Sequence, residues 1–272
     1  KFFTEIGAQL GYFATTEDRE NFRKELEALQ IKQKFAFNSP VQFNAGIHHM
    51  YGIEGQKTGN FHRNHITGEV KQIEGGEYVH PQCHACFIKG PRDDIESILQ
   101  HFTDEGRVFA AGSGIGQDIG ALREENARLS GGGYASGPLS FLIGYDRNAG
   151  AIKSGGKSRR AARMTTMRSS HPDIMKFIES KVREDGKALA LMKAGYSTGM
   201  DGEAATTVGL QNTNISVRMT DEDFEKVLHG GDIELRSVVD GKVVSKFSAE
   251  EMLKKISFGS WRIGDPAVQY ES

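Results

Sequence analysis

The stretch around which the chain is organised reads Pro81-Gln82-Cys83-His84-Ala85-Cys86-Phe87-Ile88 and contains both cysteines. An apolar pair closes this stretch, and Asp93 and Asp94 then give an acidic start to a helix. Further along the chain, amphipathic helical spacing alternates with short apolar runs that suit buried strands. Because helices and strands alternate in this way, the sequence predicts an α/β fold.

The composition is typical of a soluble globular protein, with 272 residues, 38% of them apolar and 26% charged. A formal net charge of −2 argues against a general nucleic-acid or membrane-surface role, and no apolar run reaches the length of a membrane span. Two cysteines do not form a disulfide scaffold, so we expect a cytoplasmic location. Lys1 is not an initiator methionine, and we expect a piece of a longer protein or one subunit of a split one.

Capping signals predict where several helices begin. Each combines a Ser, Thr or Asp side chain, which can accept from the first-turn N–H groups, with acidic residues or a proline in the first turn. These signals occur at Thr15 with Thr16, Asp93 with Asp94, Ser170-His171-Pro172-Asp173, Thr220 with Asp223, and Ser248 with Glu251. After Asp173, helical spacing predicts an inward face formed by Ile174, Phe177, Ile178 and Val182.

Strands are predicted where apolar runs are short. Residues 188–192 and 208–217 each fit a buried strand, and residues 139–143 fit either a strand or the start of a helix. Residues 232–247 predict a hairpin that turns at Asp240-Gly241. Residues 38–46 are predicted to form a short extended segment, and residues 48–78 a loop with one hairpin.

The two cysteines allow three interpretations. His80, Cys83, His84 and Cys86 are four potential zinc ligands, but a structural zinc site usually joins two separated pairs rather than four ligands within seven residues. A Cys-x-x-Cys redox pair suits the spacing better, because such thiols exchange readily when one of them has a lowered pKa. Two buried and inert thiols are the remaining alternative, and the spacing does not exclude it.

Two glycine-rich motifs fall short of known phosphate-binding patterns. Gly155-Gly156-Lys157-Ser158 is similar to the end of a P-loop, but Ala151 stands where its first glycine is required. Gly112-x-Gly114-x-Gly116 lacks the third glycine of a dinucleotide fingerprint, because Gln117 stands at that position. Both motifs still permit close approach of backbone to a ligand. A solvated loop and a tight turn, respectively, are the alternatives.

Short segments spread over nearly the whole chain resemble, in the same order, the large adenosylcobalamin-dependent (class II) ribonucleotide reductases. The matching segments are Asn38-Ser39-Pro40 with Phe43-Asn44, Pro81-Gln82 with His84-Ala85-Cys86-Phe87-Ile88, Gly112-Ser113-Gly114, Leu129-Ser130-Gly131-Gly132-Gly133, Ala135-Ser136-Gly137-Pro138, Ala149-Gly150-Ala151-Ile152-Lys153-Ser154-Gly155-Gly156, Arg159-Arg160-Ala161-Ala162, His171-Pro172-Asp173-Ile174, Gln211-Asn212 with Ser216-Val217-Arg218, and Asp265-Pro266 with Val268-Gln269.

The resemblance implies a fold and a reaction. Residues 1–37 are expected to form an N-terminal helical segment, and residues 38–272 the first part, roughly half, of the ten-stranded α/β barrel of these reductases. In the implied reaction, adenosylcobalamin generates a cysteine thiyl radical that abstracts the ribose 3′-hydrogen of a ribonucleotide. Two further cysteines then supply reducing equivalents, become a disulfide, and leave a deoxyribonucleotide.

The resemblance also assigns residues to the substrate site. Cys86 matches one of the two reducing cysteines and is expected on a buried strand at the centre of the barrel. Ser39 matches a residue that lines the substrate site, and Ala85 and Gly114 match backbone positions beside it. Cys83 departs from the family pattern, in which a residue other than cysteine is expected at this position.

A second set of residues matches the allosteric specificity site. Asp93 or Asp94 is expected to bind the deoxyribose of an effector, and Arg123 its triphosphate. The first specificity loop is similar to the stretch from Lys153 to Arg160, which includes Arg159. The second loop corresponds to residues 195–214 and relays the identity of the effector to the choice of substrate base.

The resemblance also implies several partners. The radical cysteine and the second reducing cysteine of the family lie downstream, so we expect the chain to be inactive without a complementary C-terminal half. The other expected partners are a ribonucleotide substrate, deoxynucleoside triphosphate effectors, a thioredoxin-like reductant, and a second copy bound through the helices that begin near Asp93 and Pro138. Neither a membrane nor a nucleic acid is expected. The alternative function is a nucleotide-binding regulatory module without catalysis of its own.

Overall fold

The computed structural model describes residues 2–152, 161–199 and 202–271. The chain divides into two units, Lys1–Ala85 and Cys86–Ser272. The division falls within the stretch that contains both cysteines, so Cys83 belongs to the first unit and Cys86 to the second. The segment boundary expected between residues 37 and 38 stays a prediction.

The first unit combines short helices with a small antiparallel sheet. Its described residues form α1 (Phe2–Gln9), α2 (Thr16–Ile31), α3 (Ser39–Asn44), α4 (Ile47–Tyr51), and the paired strands β1 (Phe61–Arg63) and β2 (Val70–Gln72). The hairpin predicted between residues 48 and 78 is therefore confirmed. The helix start predicted at Thr15 is also confirmed, because its hydroxyl oxygen accepts from the Asp18 N–H at 3.1 Å and Asp18 accepts from the Thr15 N–H at 2.9 Å.

The extended segment predicted for residues 38–46 is wrong. Asn38 instead caps the short helix α3, because its side-chain oxygen accepts from the Val41 N–H at 3.0 Å. Pro40 lies in the first turn, where its missing N–H costs no hydrogen bond. The residues that were predicted to be extended therefore begin a helix.

The second unit is built on parallel strands that are joined by helices. In chain order its described elements are β3 (Cys86–Ile88), α5 (Ile95–Ala110), β4 (Gly114–Asp118), α6 (Pro138–Ala151), β5 (Arg163–Arg168), α7 (Ile174–Lys193), α8 (Glu203–Thr207), β6 (Thr213–Thr220), α9 (Asp221–His229), β7 (Asp232–Arg236), β8 (Val243–Ser248), α10 (Ala249–Ile263) and β9 (Ala267–Glu271). Within the described residues, the sheet order is β3-β4-β5-β6-β9, all parallel. The predicted α/β class is confirmed.

Local signals in the second unit are confirmed where they lie within a few residues of each other. Thr220 caps α9 with the predicted capping box, and the Ser248 hydroxyl accepts from the Glu251 N–H at 3.3 Å at the start of α10. Strands β7 and β8 form the predicted hairpin, and Gly241 in its turn has a positive φ of 71°.

Two predicted strands differ from the structure, one in its type of element and the other in its bounds. Residues 188–192 form the end of α7 rather than a strand, because Ala-Leu-Ala-Leu-Met consists of strong helix formers with no β-branched residue. Only part of the predicted strand 208–217 is extended, since β6 begins at Thr213. The ambiguous run 139–143 is helical and follows Pro138 at the first position of α6.

The main apolar core of the second unit joins the sheet to its helices. Leu142 and Tyr145 of α6, Phe177 of α7 and Ile215 of β6 are fully buried in it. Ile174, Phe177 and Ile178 face inward as predicted, whereas Val182 is only half-buried. Among the described residues, the structure contains no helix long and apolar enough to cross a membrane.

An ion pair is buried beside this core. Arg163 at the start of β5 donates to the carboxylate of Glu105 in α5, and both side chains are 0% exposed. The Asn148 side chain donates to the second Glu105 oxygen at 2.7 Å, and the Arg163 guanidinium lies 5.6 Å from the ring centres of Phe109 and Tyr145. Burial raises the pKa of the Glu105 carboxyl, although Arg163 and Asn148 act in the opposite direction.

Candidate functional site

Cys86 and Gly114 lie next to each other on neighbouring parallel strands. Cys86 is the first residue of β3 and is the register partner of Gly114, the first residue of β4. The predicted burial of this strand is wrong, because Cys86, Phe87 and Ile88 are all exposed. β3 is the terminal strand of the described sheet and has β4 as its strand neighbour there, so packing within the second unit covers little of it.

The backbone that precedes Cys86 is held by Gln82. The Gln82 side-chain N–H donates to the His84 carbonyl at 2.8 Å, and its side-chain oxygen accepts from the His84 N–H. Asn44, at the end of α3, donates to the Gln82 carbonyl at 3.0 Å. The helix that begins at Ser39 is thereby tied to the stretch that contains Ala85, within the first unit.

Asn44 and Gln82 were not among the predicted site residues. Asn44 is buried, and Gln82 makes hydrogen bonds with both its amide nitrogen and its amide oxygen. Their only signal in the sequence was their presence in the segments that resemble the reductases. Within the first unit, they therefore support the backbone of the predicted substrate positions Ser39 and Ala85.

Cys83 has a different environment from Cys86. Both residues are thiols, and burial raises the pKa of the half-buried Cys83 thiol. Cys83 is therefore held in the protonated form, which is the less reactive one. In the first unit, the His80 ring stacks on the His62 ring with their centres 3.9 Å apart, and burial lowers the pKa of His80 with help from the nearby His62. Within the described part of the chain, no group of three or more His, Cys, Asp or Glu side chains is placed to hold a metal ion.

Asp93 and Arg123 form a pair across 30 residues of sequence. The Arg123 Nε–H donates to Asp93 Oδ2 at 2.8 Å, and the Arg123 backbone N–H donates to Asp93 Oδ1 at 3.1 Å. Both side chains are partly exposed, at 27% for Asp93 and 28% for Arg123. Two of the predicted effector-binding residues are therefore in direct contact and accessible to a ligand.

Asp94 has a local role instead. Its Oδ1 accepts from the Ser97 N–H at 2.7 Å and caps α5, so this carboxylate is used at the helix start. Of the two neighbouring aspartates, Asp93 is the one that contacts Arg123. Lys153, Arg159 and Arg160, which were also predicted to bind effector, lie outside the described residues.

The Gly112-x-Gly114-x-Gly116 motif is part of a helix-to-strand connection. Gly112 has a positive φ of 79° and follows α5, whereas Gly114 and Gly116 lie within β4. A phosphate-binding motif of the dinucleotide type would instead lead into the N-terminus of a helix. The tight-turn alternative therefore describes Gly112, whereas Gly114 is the register partner of Cys86.

Comparisons with known proteins agree with this geometry. The family described as the ribonucleotide reductase barrel domain matches residues 84–272. A vitamin B12-dependent ribonucleotide reductase of Rhodopirellula baltica is 42% identical over 264 residues, which cover 96% of this chain and 25% of that protein. The protein of the same name from Streptomyces avermitilis is 38% identical over 271 residues, covering 100% of this chain and 25% of the relative.

A third relative is less similar to this chain. The vitamin B12-dependent ribonucleoside-diphosphate reductase of Thermoplasma acidophilum is 31% identical over 188 residues, which cover 69% of this chain and 22% of that protein. The chain thus spans about a quarter of the length of these relatives.

The chain belongs to the ribonucleotide reductase barrel-domain family, since the matched region takes up well over half of it. The resemblance deduced from the sequence segments is confirmed. The parallel five-stranded sheet of the second unit fits part of an α/β barrel.

Proposed function

We propose that this chain forms the first part of the catalytic barrel of a cobalamin-dependent ribonucleotide reductase. Together with the remaining part of the enzyme, it would reduce ribonucleotides to deoxyribonucleotides. The observation that carries the proposal is the position of Cys86, whose exposed side chain stands at the start of β3 beside Gly114. Both residues lie in the region that matches the reductase barrel domain.

In the proposed reaction, Cys86 is one of two thiols that supply electrons. The ribose 2′-hydroxyl leaves as water, a hydrogen takes its place at C2′, and the two thiols lose two hydrogens and join as a disulfide. Cys83 is not proposed as the second thiol, because the family resemblance pairs Cys86 with a downstream cysteine. The second thiol and the radical cysteine would come from the complementary part, and a thioredoxin-like protein would reduce the disulfide again.

Exposed apolar side chains support the need for a complementary part. Ile88 in β3 is 95% exposed and Tyr270 in β9 is 78% exposed, and these are the two terminal strands of the described sheet. Large apolar groups at such positions favour further protein as a cover. On the helices α5 and α6, Ile95, Leu99 and Ile143 are likewise exposed and suit the dimer contact that the resemblance implies.

The relatives support cobalamin as the cofactor, because their names state dependence on vitamin B12. We assign none of the described residues to cobalamin and propose that the assembled enzyme binds it. When bound, adenosylcobalamin would supply the radical that starts the reaction.

A chimera tests the catalytic proposal. Residues 1–272 would replace the matching quarter of the Rhodopirellula baltica reductase, and the purified chimera would be assayed with adenosylcobalamin, a dithiol and each ribonucleotide. We expect deoxyribonucleotide from the chimera and none from its Cys86→Ser variant, while Cys83→Ser stays active. A folded chimera that yields no product, or a Cys86→Ser variant that yields as much as the parent, would contradict the proposal.

A second candidate function, nucleotide binding without catalysis, is favoured by the Asp93–Arg123 pair. A partly exposed guanidinium beside a carboxylate suits the triphosphate and the sugar hydroxyl of a deoxynucleotide, respectively. Calorimetry of the chain with deoxynucleoside triphosphates would measure this binding. We expect Arg123→Ala to weaken it, and Arg92→Ala, which removes a more exposed arginine beside Asp94, to leave it unchanged.

Binding together with an inactive chimera would support the regulatory function over the catalytic one. Binding together with product formation would support both roles in one enzyme. Equal binding by the parent and by Arg123→Ala would reject the effector site that is proposed at Arg123.

A further inference from the structure

Gly116 lies in the middle of β4, on the face of the sheet that carries Cys86. Its register partners are Ile88 of β3 on one side and Met164 of β5 on the other. Register partners on neighbouring parallel strands point to the same face, and so do residues two apart along one strand. These four residues therefore share one face of the sheet, here called the Cys86 face.

The two faces of the sheet differ in burial at this point. Ile115, which points away from the Cys86 face, is 2% exposed and packs with Phe109 and Ala149. Ile88, on the Cys86 face, is 95% exposed. A large apolar side chain that stands this far out favours cover by further protein. At β3 and β4, the Cys86 face is therefore the side that is open to a partner.

The strand itself does not require glycine at position 116. Gly116 lies in regular extended structure, and its φ is not positive. A Cβ at this position would lie 3.8 Å from Ile88 Cγ1 and 3.9 Å from the Phe87 carbonyl oxygen, which are ordinary van der Waals distances. Glycine inside a strand is unfavourable, because it gains no packing and loses more conformational freedom on folding than other residues. The described part of the chain thus supplies no steric reason for this glycine.

We propose that a backbone segment of the complementary part of the enzyme crosses the Cys86 face in contact with Gly116. The inference rests on the proposed function, which requires such a complementary part. A residue without a Cβ lets a second backbone approach the strand more closely than any other residue does. The glycine at position 116 is thereby explained by a contact with protein outside residues 1–272.

The flanks of Gly116 favour protein over a nucleotide as the occupant. Ile88 and Met164 are both apolar, whereas the phosphates and hydroxyls of a ribonucleotide need charged or hydrogen-bonding partners. The chain covers 25% of the Rhodopirellula baltica relative, so about three quarters of that protein lie outside the matched part. A remainder of that size supplies ample protein for the segment.

The chemistry of the segment follows from the rest of the Cys86 face. Beyond Gly116, Asp118 accepts from the Arg218 guanidinium at 3.0 Å, and the two side chains are 38% and 28% exposed, respectively. The segment therefore places an apolar side chain on Ile88 and polar groups toward Asp118. Gly116 lies two residues from the level of Cys86, which is about 7 Å along the strand. The contact thus fixes the complementary part close to the Cys86 thiol, where its own cysteine is needed.

A pair of glycine variants tests the contact. In the isolated chain, Gly116→Ala is expected to leave the urea midpoint unchanged or raised, because the methyl group has room. In the chimera with the Rhodopirellula baltica reductase, the same methyl group displaces the segment by about 1 Å or more, and product formation is expected to fall about tenfold to a hundredfold. Gly186→Ala in α7 is the matched control, because a Cβ there meets no atom of the described chain within 4 Å outside its own helical turn. We expect it to leave the activity of the chimera unchanged.

Footprinting with hydroxyl radicals tests the cover without relying on activity. The rate of oxidation of Ile88, read by mass spectrometry, is compared in the isolated chain and in the chimera, with the buried Ile115 as the reference in both. We expect Ile88 to be oxidised much more slowly in the chimera. In the Gly116→Ala chimera the rate is expected to return toward that of the isolated chain, because the segment is displaced.

Four results would overturn the proposal. Equal oxidation of Ile88 in the isolated chain and in the chimera would show that nothing covers the Cys86 face. A lowered urea midpoint for the Gly116→Ala chain would give the glycine a role within the chain itself. A Gly116→Ala chimera that is as active and as protected as the parent would show that no backbone approaches position 116. Protection of Ile88 that appears only after ribonucleotide is added would assign the face to substrate instead.

The same measurements distinguish failure of this contact from failure of the catalytic function. A chimera that protects Ile88 but forms no product keeps the contact and counts against the catalytic proposal. An active chimera with an unprotected Ile88 keeps the catalytic proposal and rejects the contact. A Gly116→Ala chimera that does not fold, although the Gly116→Ala chain does, supports the contact, because the two proteins differ only in the complementary part.

Discussion

Strand β4 has two neighbours with opposite environments. On one side, β3 carries Cys86 and Ile88 with exposed side chains. On the other side, β5 begins with Arg163, which is completely buried against Glu105. The difference teaches that the second unit pairs the buried charges of Arg163 and Glu105 with each other, whereas its proposed chemical group, the Cys86 thiol, is left exposed.

The buried Arg163–Glu105 pair predicts the largest effect on stability. Arg163→Leu leaves the Glu105 carboxylate buried without its partner, and we expect the free energy of unfolding to fall by about 3–5 kcal/mol. Urea unfolding followed by circular dichroism measures the loss. Arg168→Ala, on the same strand, removes an exposed pair with Glu271 and should cost about 1 kcal/mol at most. Equal losses in the two variants would show that the buried pair contributes no more to the free energy of unfolding than the exposed pair.

A matched pair of isoleucines compares the two strands directly. Ile115 in β4 is 2% exposed, and Ile115→Ala is expected to lower the free energy of unfolding by about 2–5 kcal/mol. Ile88→Ala in the exposed β3 should change it by about 0.5 kcal/mol or less. The same urea experiment serves both variants. A large loss for Ile88→Ala would mean that β3 is covered in the isolated chain.

The buried side also predicts a dependence on pH. Burial lowers the pKa of His101 below its usual value of 6.5, although its contact with Gln117 opposes this shift. Below pH 6.5 the unfolded chain therefore binds a proton that the folded chain excludes, and the free energy of unfolding falls until the folded-state pKa is reached.

Urea midpoints at about pH 7.5 and about pH 5.5 test this dependence. His101→Gln, which removes the titrating ring, should show a smaller drop between the two conditions than the parent. The raised pKa of Glu105 acts in the opposite sense and is present in both proteins, so the comparison isolates His101. An identical drop in both would contradict the prediction.

The smallest expected effect on stability belongs to Cys86. Cys86→Ser changes an exposed side chain by one atom, so the free energy of unfolding should change by about 0.5 kcal/mol or less. The same substitution should abolish product formation in the chimera. A strongly destabilised Cys86→Ser chain would instead indicate a structural thiol.

Short-range features were predictable because their causes lie within a few residues. The caps at Thr15 and Thr220 and the hairpin turn at Asp240-Gly241 all depend on side chains close to the backbone that they bind. Residues 38–46 show where local prediction fails, because an Asn before Ser-Pro suits both an extended segment and a helix cap. Neighbouring contacts, such as Asn44 with Gln82, favour the helix only after folding.

The candidate site was predictable in part. The resemblance brought out Cys86, Gly114, Asp93 and Arg123, and the structure puts the first two on adjoining strands and the last two in contact. The roles of Asn44 and Gln82 were missed, because side-chain contacts with distant backbone leave no periodic pattern.

By itself, the sequence determined the α/β class, the family, and the helix caps at Thr15, Asp94, Thr220 and Ser248, since these depend on local spacing and on short segments that match in order. Tertiary structure alone decided which charges are buried and which strands are exposed. Glu105 and Arg163 are 58 residues apart, and Arg147 and Thr206 are 59 apart, so no local rule pairs them. The physical reason is that burial and long-range pairing depend on the crossing of helices over the sheet, which only the folded chain establishes.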